Sequence, residues 1–265
     1  MSRQNLKGAW ALILGASSGF GAATARALAA KGMHIFGVHL DRKSTMPQVQ
    51  SLVKELAELG IRARYFNLNA ADEENLRLVT DSMSDEMGDG PRLRVFVHSL
   101  AFGALKPYIA ESGQALRRSQ MNMTLDVMAH SLVYWVQELV RHRFFEPNSR
   151  IFAMTSSGGH VVWPGYGAVS AAKAALESHI RQLALELAPL GITANAILAG
   201  VTDTPALRAI PGHDRMMDVA KARNPMGRLT TPEDVAAAIA CLCDPGCYWL
   251  NGNVIRVDGG EDIAG

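Results

Sequence analysis

Seven short apolar runs rich in β-forming residues, at 9–14, 34–38, 63–68, 93–97, 150–154, 193–198 and 253–257, alternate with stretches whose apolar residues recur at helical spacing. The helical stretches are 21–31, 47–59, 73–86, 114–143, 165–190 and 232–242. Strands separated by helices need crossover connections, and crossovers give a parallel sheet covered on both faces. The alternation predicts an α/β fold with a doubly wound, seven-stranded parallel sheet of the Rossmann type. At 265 residues and 48% hydrophobic content the chain is long enough for one large core, so residues 1–265 are expected to form a single domain.

One segment breaks the rhythm. Residues 204–226 carry the breakers Pro205, Pro211, Gly212 and Pro225 among Leu207, Ile210, Met216, Met217 and Met226. Ligands of such sheets bind off the carboxyl ends of the strands, so an apolar excursion there suits a small helical substrate lid. An ordinary packed insertion has the same composition.

Formal charge is +1 with no long run of one sign, which gives no footprint for nucleic acid or a membrane surface. No apolar stretch reaches the roughly 18 residues of a membrane span, and residues 1–10 lack the pattern of a signal peptide. A cytoplasmic protein is expected. Cys241, Cys243 and Cys247 crowd together without a fourth ligand, and His130, His142, His160 and His179 lack metal-ligand spacing. No metal is expected; these histidines read as solvated or satisfied locally, and His98 as a packed ring bonded to a carbonyl.

The first strand runs into Gly15-Ala-Ser17-Ser18-Gly19-Phe20-Gly21 and then an alanine-rich helix. Glycines permit the tight turn and close approach of a pyrophosphate, while free amides at the helix start favour its charge. After the second strand comes His39-Leu40-Asp41-Arg42-Lys43. An acid here holds a ribose diol and cations hold a ribose phosphate; two cations against one anion favour NADP over NAD.

Tyr166 and Lys173 stand seven residues apart at the start of a helical stretch, behind a strand ending in Ser156-Ser157. Seven residues is about two helical turns, which predicts that phenol and ammonium share a face. The cation is then expected to lower the phenol pKa.

Together with Asn195 to Thr204, the tract from Arg228 to Val235 and the ending Asp258-Gly-Gly, these motifs resemble the short-chain dehydrogenase/reductase family over nearly the whole chain. The resemblance implies that Gly15, Ser17, Ser18, Gly19, Phe20 and Gly21 hold pyrophosphate and adenosine and that Asn69 and Ala70 touch adenine. It further implies that Ser99, Leu100 and Ala101 lie along the cofactor, with Gly200, Thr202 and Thr204 near the nicotinamide amide. Lys173 would bind the nicotinamide ribose and support the acid Tyr166, and Ser156 would orient substrate. The family's helix asparagine, which holds a proton-relay water, falls near Thr124, with Asn122 two residues away.

Most members of that family place the catalytic tyrosine four residues before the lysine, where this chain has Val169. Tyr166 lies three residues earlier, about 4.5 Å toward the helix start. Ketone reduction needs the acid close to the nicotinamide, whereas an enolate oxygen lies three bonds from the carbon that takes the hydride. A displaced acid fits the second case. The Tyr-x6-Lys spacing and Phe96-Val-His-Ser99 resemble the enoyl-acyl-carrier-protein reductases, and the carboxyl half resembles their FabL-type branch.

The resemblance implies NADPH-dependent reduction of the trans-2 double bond of an acyl-carrier-protein or acyl-CoA thioester in fatty-acid synthesis, by a homotetramer. Two alternatives stay open. One is a carbonyl or hydroxyl oxidoreductase acting on a 3-oxoacyl thioester or hydroxysteroid; the other is a nucleotide-binding protein without catalysis.

Overall fold

The computed structural model describes residues 6–264 except 91 and 112. Residues 1–5, half of the stretch read for a signal peptide, lie outside the described residues.

Seven strands form one parallel sheet in the order β3-β2-β1-β4-β5-β6-β7. They are β1 (Trp10–Leu14), β2 (His34–His39), β3 (Ala63–Asn67), β4 (Leu93–His98), β5 (Phe145–Ser156), β6 (Thr193–Ala199) and β7 (Val254–Val257). The helices are α1 (Gly19–Ala29), α2 (Met46–Glu58), α3 (Glu73–Met87), α4 (Arg118–Leu125), α5 (Ser131–Arg141), α6 (Gly167–Leu187), α7 (Pro205–Arg208), α8 (His213–Arg223) and α9 (Pro232–Leu242).

Strand β1 shows why its run of apolar residues is unbroken. Trp10, Leu12 and Leu14 point into one core, with Phe36, Trp135, Leu176 and Ile180. Ala11 and Ile13 point into a second, with Leu28, Leu52, Val235 and Ile239. Successive side chains alternate between faces, so a strand covered on both must be apolar throughout. Full burial of Leu12 alone contributes about 1.5–3 kcal/mol. The chain winds outward from β1 to β3, then returns to place β4 on the other side of β1 and winds the opposite way. The carboxyl ends of β1 and β4 therefore flank the switch point where such sheets bind ligands.

Three elements depart from expectation. Strand β5 begins at Phe145, not at 150: Phe145 pairs with Leu93, and the register then slips past Pro147 and the left-handed Asn148 (φ 70°) to resume at Arg150 and Val95. The helix expected over 114–143 begins at Arg118, because the Leu116 amide is taken by the Pro107 carbonyl and Arg117 is extended (φ −90°, ψ 154°). It is also interrupted by a wide π turn, Asp126–His130, between α4 and α5. Tyr166 is the N-cap of α6, outside the helix proper.

The excursion over 204–226 holds α7, opened by the Thr204 hydroxyl accepting from the Leu207 amide at 3.2 Å, and α8. The end of α8 is tied to residues 258–264. Arg223 donates to the carbonyls of Ala264 and Asp262, and Asn224 Nδ2 to the Asp258 carbonyl at 2.8 Å.

Candidate active site

The β1–α1 turn is closed by backbone contact. A Cβ on Gly21 would fall 2.0 Å from the Gly15 carbonyl oxygen, and one on Gly15, at φ 82°, 2.3 Å from that of Ser99. Ser18, the extended N-cap, makes no side-chain cap bond, so the first-turn amides of α1 keep donors for a ligand. This cradle fits a dinucleotide pyrophosphate, with Gly15, Ser17, Ser18, Gly19, Phe20 and Gly21 as its candidate holders.

At the end of β2, Asp41 is fixed. Its carboxylate accepts from Thr45 Oγ1 at 2.8 Å and lies 2.9 Å from His39 Nδ1. Burial raises the Asp41 pKa, but hydrogen bonds from Ser17, Thr45 and His39 outweigh it and hold the group below its usual value. Arg42 and Lys43 are exposed and make no ion pair among the described residues. Asn69 forms a tight turn with the Ala71 amide, and the Ala70 carbonyl accepts from Trp135 Nε1 at 2.7 Å.

A crevice of about 510 Å³ opens at the carboxyl ends of the strands. It brings together Phe20, Ser99, Leu100, Ala101, Ser156, Tyr166, Lys173, Gly200, Thr202 and Thr204 of the expected site. Gly15, Ser17, Ser18, Gly19, Gly21, Arg42, Lys43, Asn69 and Ala70 lie outside its lining, on the side of β1 and β2. The far wall is apolar: Val162 and Trp163 from the β5–α6 loop, and Leu207, Ile210, Met216 and Val219 from the excursion. Sequence reasoning missed Trp163, whose indole reaches toward the Pro211 carbonyl at 3.4 Å. It also missed Glu261, which accepts from the Val201 amide with both oxygens at 3.1 and 3.2 Å. Sixty residues separate Glu261 from Val201 and leave no local signal.

The expected effect of Lys173 on the phenol is not what the structure shows. Burial pushes the Tyr166 pKa up, with Ser156 pulling the other way, and Lys173 plays no part. The reason is geometric: Lys173 Nζ is turned to the Met154 carbonyl at 2.7 Å, while the phenol ring packs over Gly158, where a Cβ would meet it at 2.5 Å. Ser156 Oγ is buried and aimed at the phenol, yet completes no hydrogen bond and keeps its capacity for one. Burial lowers the Lys173 pKa to about 8, with Glu177 opposing.

Val169 is buried beside Gly103, packing with Thr124 around the glycine. Thr124 is fully committed, donating to the Gln120 carbonyl at 2.8 Å and accepting from the Ala104 amide at 2.9 Å; Asn122 is exposed.

His98 is buried as expected, but its partner is Ser131 Oγ at 2.8 Å, not a carbonyl. Ser131 donates to Val127 O, so His98 Nε2 carries the proton; burial, then Lys173, push its pKa down to about 3. His142 is satisfied locally by Glu138 and Arg141. The others are held by distant residues: His160 by Asp262 at 2.9 Å, and His130 by His179 at 3.0 Å. Cys243 is buried, Cys241 exposed and Cys247 intermediate. No helix among the described residues is long and apolar enough to cross a membrane.

A doubly wound parallel sheet with a glycine cradle at its switch point and a Tyr–Lys helix at the crevice defines a nicotinamide-dependent oxidoreductase, a short-chain dehydrogenase/reductase. Within that class the chain belongs to the family described as Enoyl-(Acyl carrier protein) reductase, whose model matches residues 15–261.

Among relatives, it is 31% identical to "Uncharacterized oxidoreductase YjdA" of Bacillus subtilis, over 94% of this chain and 95% of that one. It is 29% identical to the cis-4-hydroxycyclohexanecarboxylate dehydrogenase of Sinomonas cyclohexanicum, over 94% and 95%. It is 29% identical to the NADH enoyl-acyl-carrier-protein reductase of Aquifex aeolicus, over 92% and 90%. The crystal structure of an enoyl-acyl-carrier-protein reductase (NADH) from Aquifex aeolicus matches with a TM-score of 0.84 at 27% identity, covering 98% of both chains. A short-chain dehydrogenase from Burkholderia cenocepacia in complex with NADP matches at 0.81 and 28% identity, covering 98% of this chain and all of the other.

Proposed function

We propose that this protein is an enoyl-thioester reductase, with residues 204–226 of its one domain serving as the substrate lid. The observation that carries the reading is the placement of the acid. The crevice phenol is Tyr166 at the helix cap, and the position four residues before Lys173 is Val169, buried and without a proton to give.

A bound reduced nicotinamide supplies the hydride. Tyr166 remains protonated because burial raises its pKa, so it acts as a hydrogen-bond donor aimed at the oxygen that gains charge as the enolate forms. Lys173, anchored at Met154 O, keeps donors for the nicotinamide ribose. The apolar wall from Trp163 to Val219 suits an acyl chain and excludes water from the developing charge. An acyl-carrier-protein or acyl-CoA thioester in fatty-acid synthesis supplies such a chain, and family resemblance supports a homotetramer.

Two features compete over the dinucleotide. Exposed Arg42 and Lys43 support NADPH; the fixed carboxylate of Asp41, beside Ser17, supports the ribose diol of NADH. The ordered group needs no further entropy loss to act, so NADH is placed first. Comparing kcat/KM for the two tests this, and a higher value with NADPH overturns it.

A second reading, oxidation and reduction at a carbonyl, is favoured by the unsatisfied Ser156 hydroxyl beside the phenol. Dinucleotide consumption with crotonyl and 3-oxoacyl thioesters separates the two. The enoyl substrate should turn over, and Tyr166→Phe should lower kcat by about 10²–10³ with dinucleotide affinity intact. Turnover of the 3-oxoacyl thioester alone, or its gain only with Val169→Tyr, decides for or against the displaced acid. Dinucleotide binding without any turnover would leave a nucleotide-binding protein.

A further inference from the structure

The end of β5 meets α6 residue by residue. The Met154 carbonyl takes Lys173 Nζ at 2.7 Å, Thr155 Oγ1 donates to Glu177 Oε1 at 2.7 Å, and Ser156 faces Tyr166. Glu177 follows Lys173 by four residues, so the two rise from one helix face. Gly159 packs over both: a Cβ there would lie 3.4 Å from Glu177 Oε1 and 3.5 Å from Lys173 Cβ. Thr155 is buried and its hydroxyl is spent on this one carboxylate.

The amine sits in a demanding place. Lys173 is only 6% exposed, and burial opposes its charge. From β4 it faces His98, a neutral ring, while the phenol at the cap of α6 is turned over Gly158 and stays protonated, so it brings no charge to the amine. Glu177 is the carboxylate whose charge acts on it. Arg256 on β7 also feels Glu177, but its own partner is Asp262 at 2.9 Å. The route from helix α4 that the family resemblance implied is spent, with Thr124 committed at both donor and acceptor.

We propose that Glu177, held in place by the Thr155 hydroxyl, is a positioning residue that keeps the Lys173 ammonium charged inside the buried site. An unpaired ammonium in low dielectric gives up its proton, and a fixed anion one turn away opposes that loss. Without Glu177 the amine should become neutral at lower pH. It would then lose a donor toward the ribose and the field that favours the enolate.

The catalytic role of Lys173 rests on the proposed function, but its ionisation can be read without turnover. Competitive labelling with acetic anhydride across pH, followed at the Lys173 peptide by mass spectrometry, should give a midpoint near about 8 in the native protein. In Glu177→Gln the midpoint should fall by at least about half a pH unit. Thr155→Val, which frees the carboxylate without removing it, should move it the same way by less. Turnover in Glu177→Gln should drop roughly two- to tenfold at pH 8 and less than about twofold at pH 6.5. An unchanged labelling midpoint in both variants, or a loss of activity equal at every pH, overturns the proposal. If no enoyl thioester is turned over, the labelling result still decides the role of Glu177, and only the enzymatic reading fails.

Discussion

The β1–α1 turn and the excursion after β6 meet across one crevice, with Thr204 Cγ2 3.3 Å from where a Cβ on Gly19 would stand. The two are made of different material. The turn is shaped by main chain against main chain, at Gly15 against Ser99 and Gly21 against Gly15. The excursion presents apolar side chains, several of them half-buried or exposed, and draws part of its order from residues 258–264. Backbone contact admits one shape, and that shape fits a pyrophosphate. A side-chain wall can be recut without disturbing the sheet, so the dinucleotide class is far more tightly written into this molecule than its substrate.

The largest expected effect strikes the backbone side. Gly21→Ala places a methyl 2.0 Å from a carbonyl oxygen that cannot move without opening the turn. A loss of about 3 kcal/mol in urea denaturation is expected, together with loss of dinucleotide binding by fluorescence titration. A stable variant that still binds would break the contrast.

Lys173→Met should abolish turnover yet stabilise the fold. The folded-state pKa, about 8, lies below the ordinary 10.5, so the native chain gives up this proton first. Burying the ammonium therefore costs stability below pH 8, and the cost disappears as pH rises from 8 to 10.5. The cost is roughly 3 kcal/mol, offset by about 1 kcal/mol for the lost bond to Met154 O. Thermal unfolding should show a Tm several degrees above the native value at pH 7 and a narrowing gap by pH 10. An equal gap at both pH values would place the benefit in packing alone.

The smallest effect should come from the side-chain wall. Met216→Ala should change KM for an acyl substrate up to about tenfold while leaving stability within roughly 0.5 kcal/mol and dinucleotide affinity unchanged.

Periodicity exposed the sheet because a strand buried on both faces has to be apolar at every position, as in Trp10 to Leu14. It could not place the start of β5 at Phe145, because Pro147 and Asn148 part that first pair from Arg150 and read as a loop. Nor could it show the π turn at Asp126–His130, since one extra residue per turn hardly disturbs an apolar stripe. The candidate site was legible where spacing is local, at Gly15 to Gly21 and from Tyr166 to Lys173. It was hidden where partners come from afar, as with Glu261 at Val201 or His160 at Asp262. The phenol misled because charge proximity was weighed without burial, and burial prevails at Tyr166.

The tie between α8 and residues 258–264 also bears on how the molecule is made. Translation runs from the amino end, so the cradle from Gly15 to Ser99 has emerged long before Asp258 and Ala264 can hold Arg223 and Asn224. At about 5–20 residues per second the interval is roughly ten to thirty seconds. Met216 and Val219 emerge late in it and wait only its last roughly two to ten seconds without the contacts that fix their helix, a stretch of nascent chain for chaperones to shield.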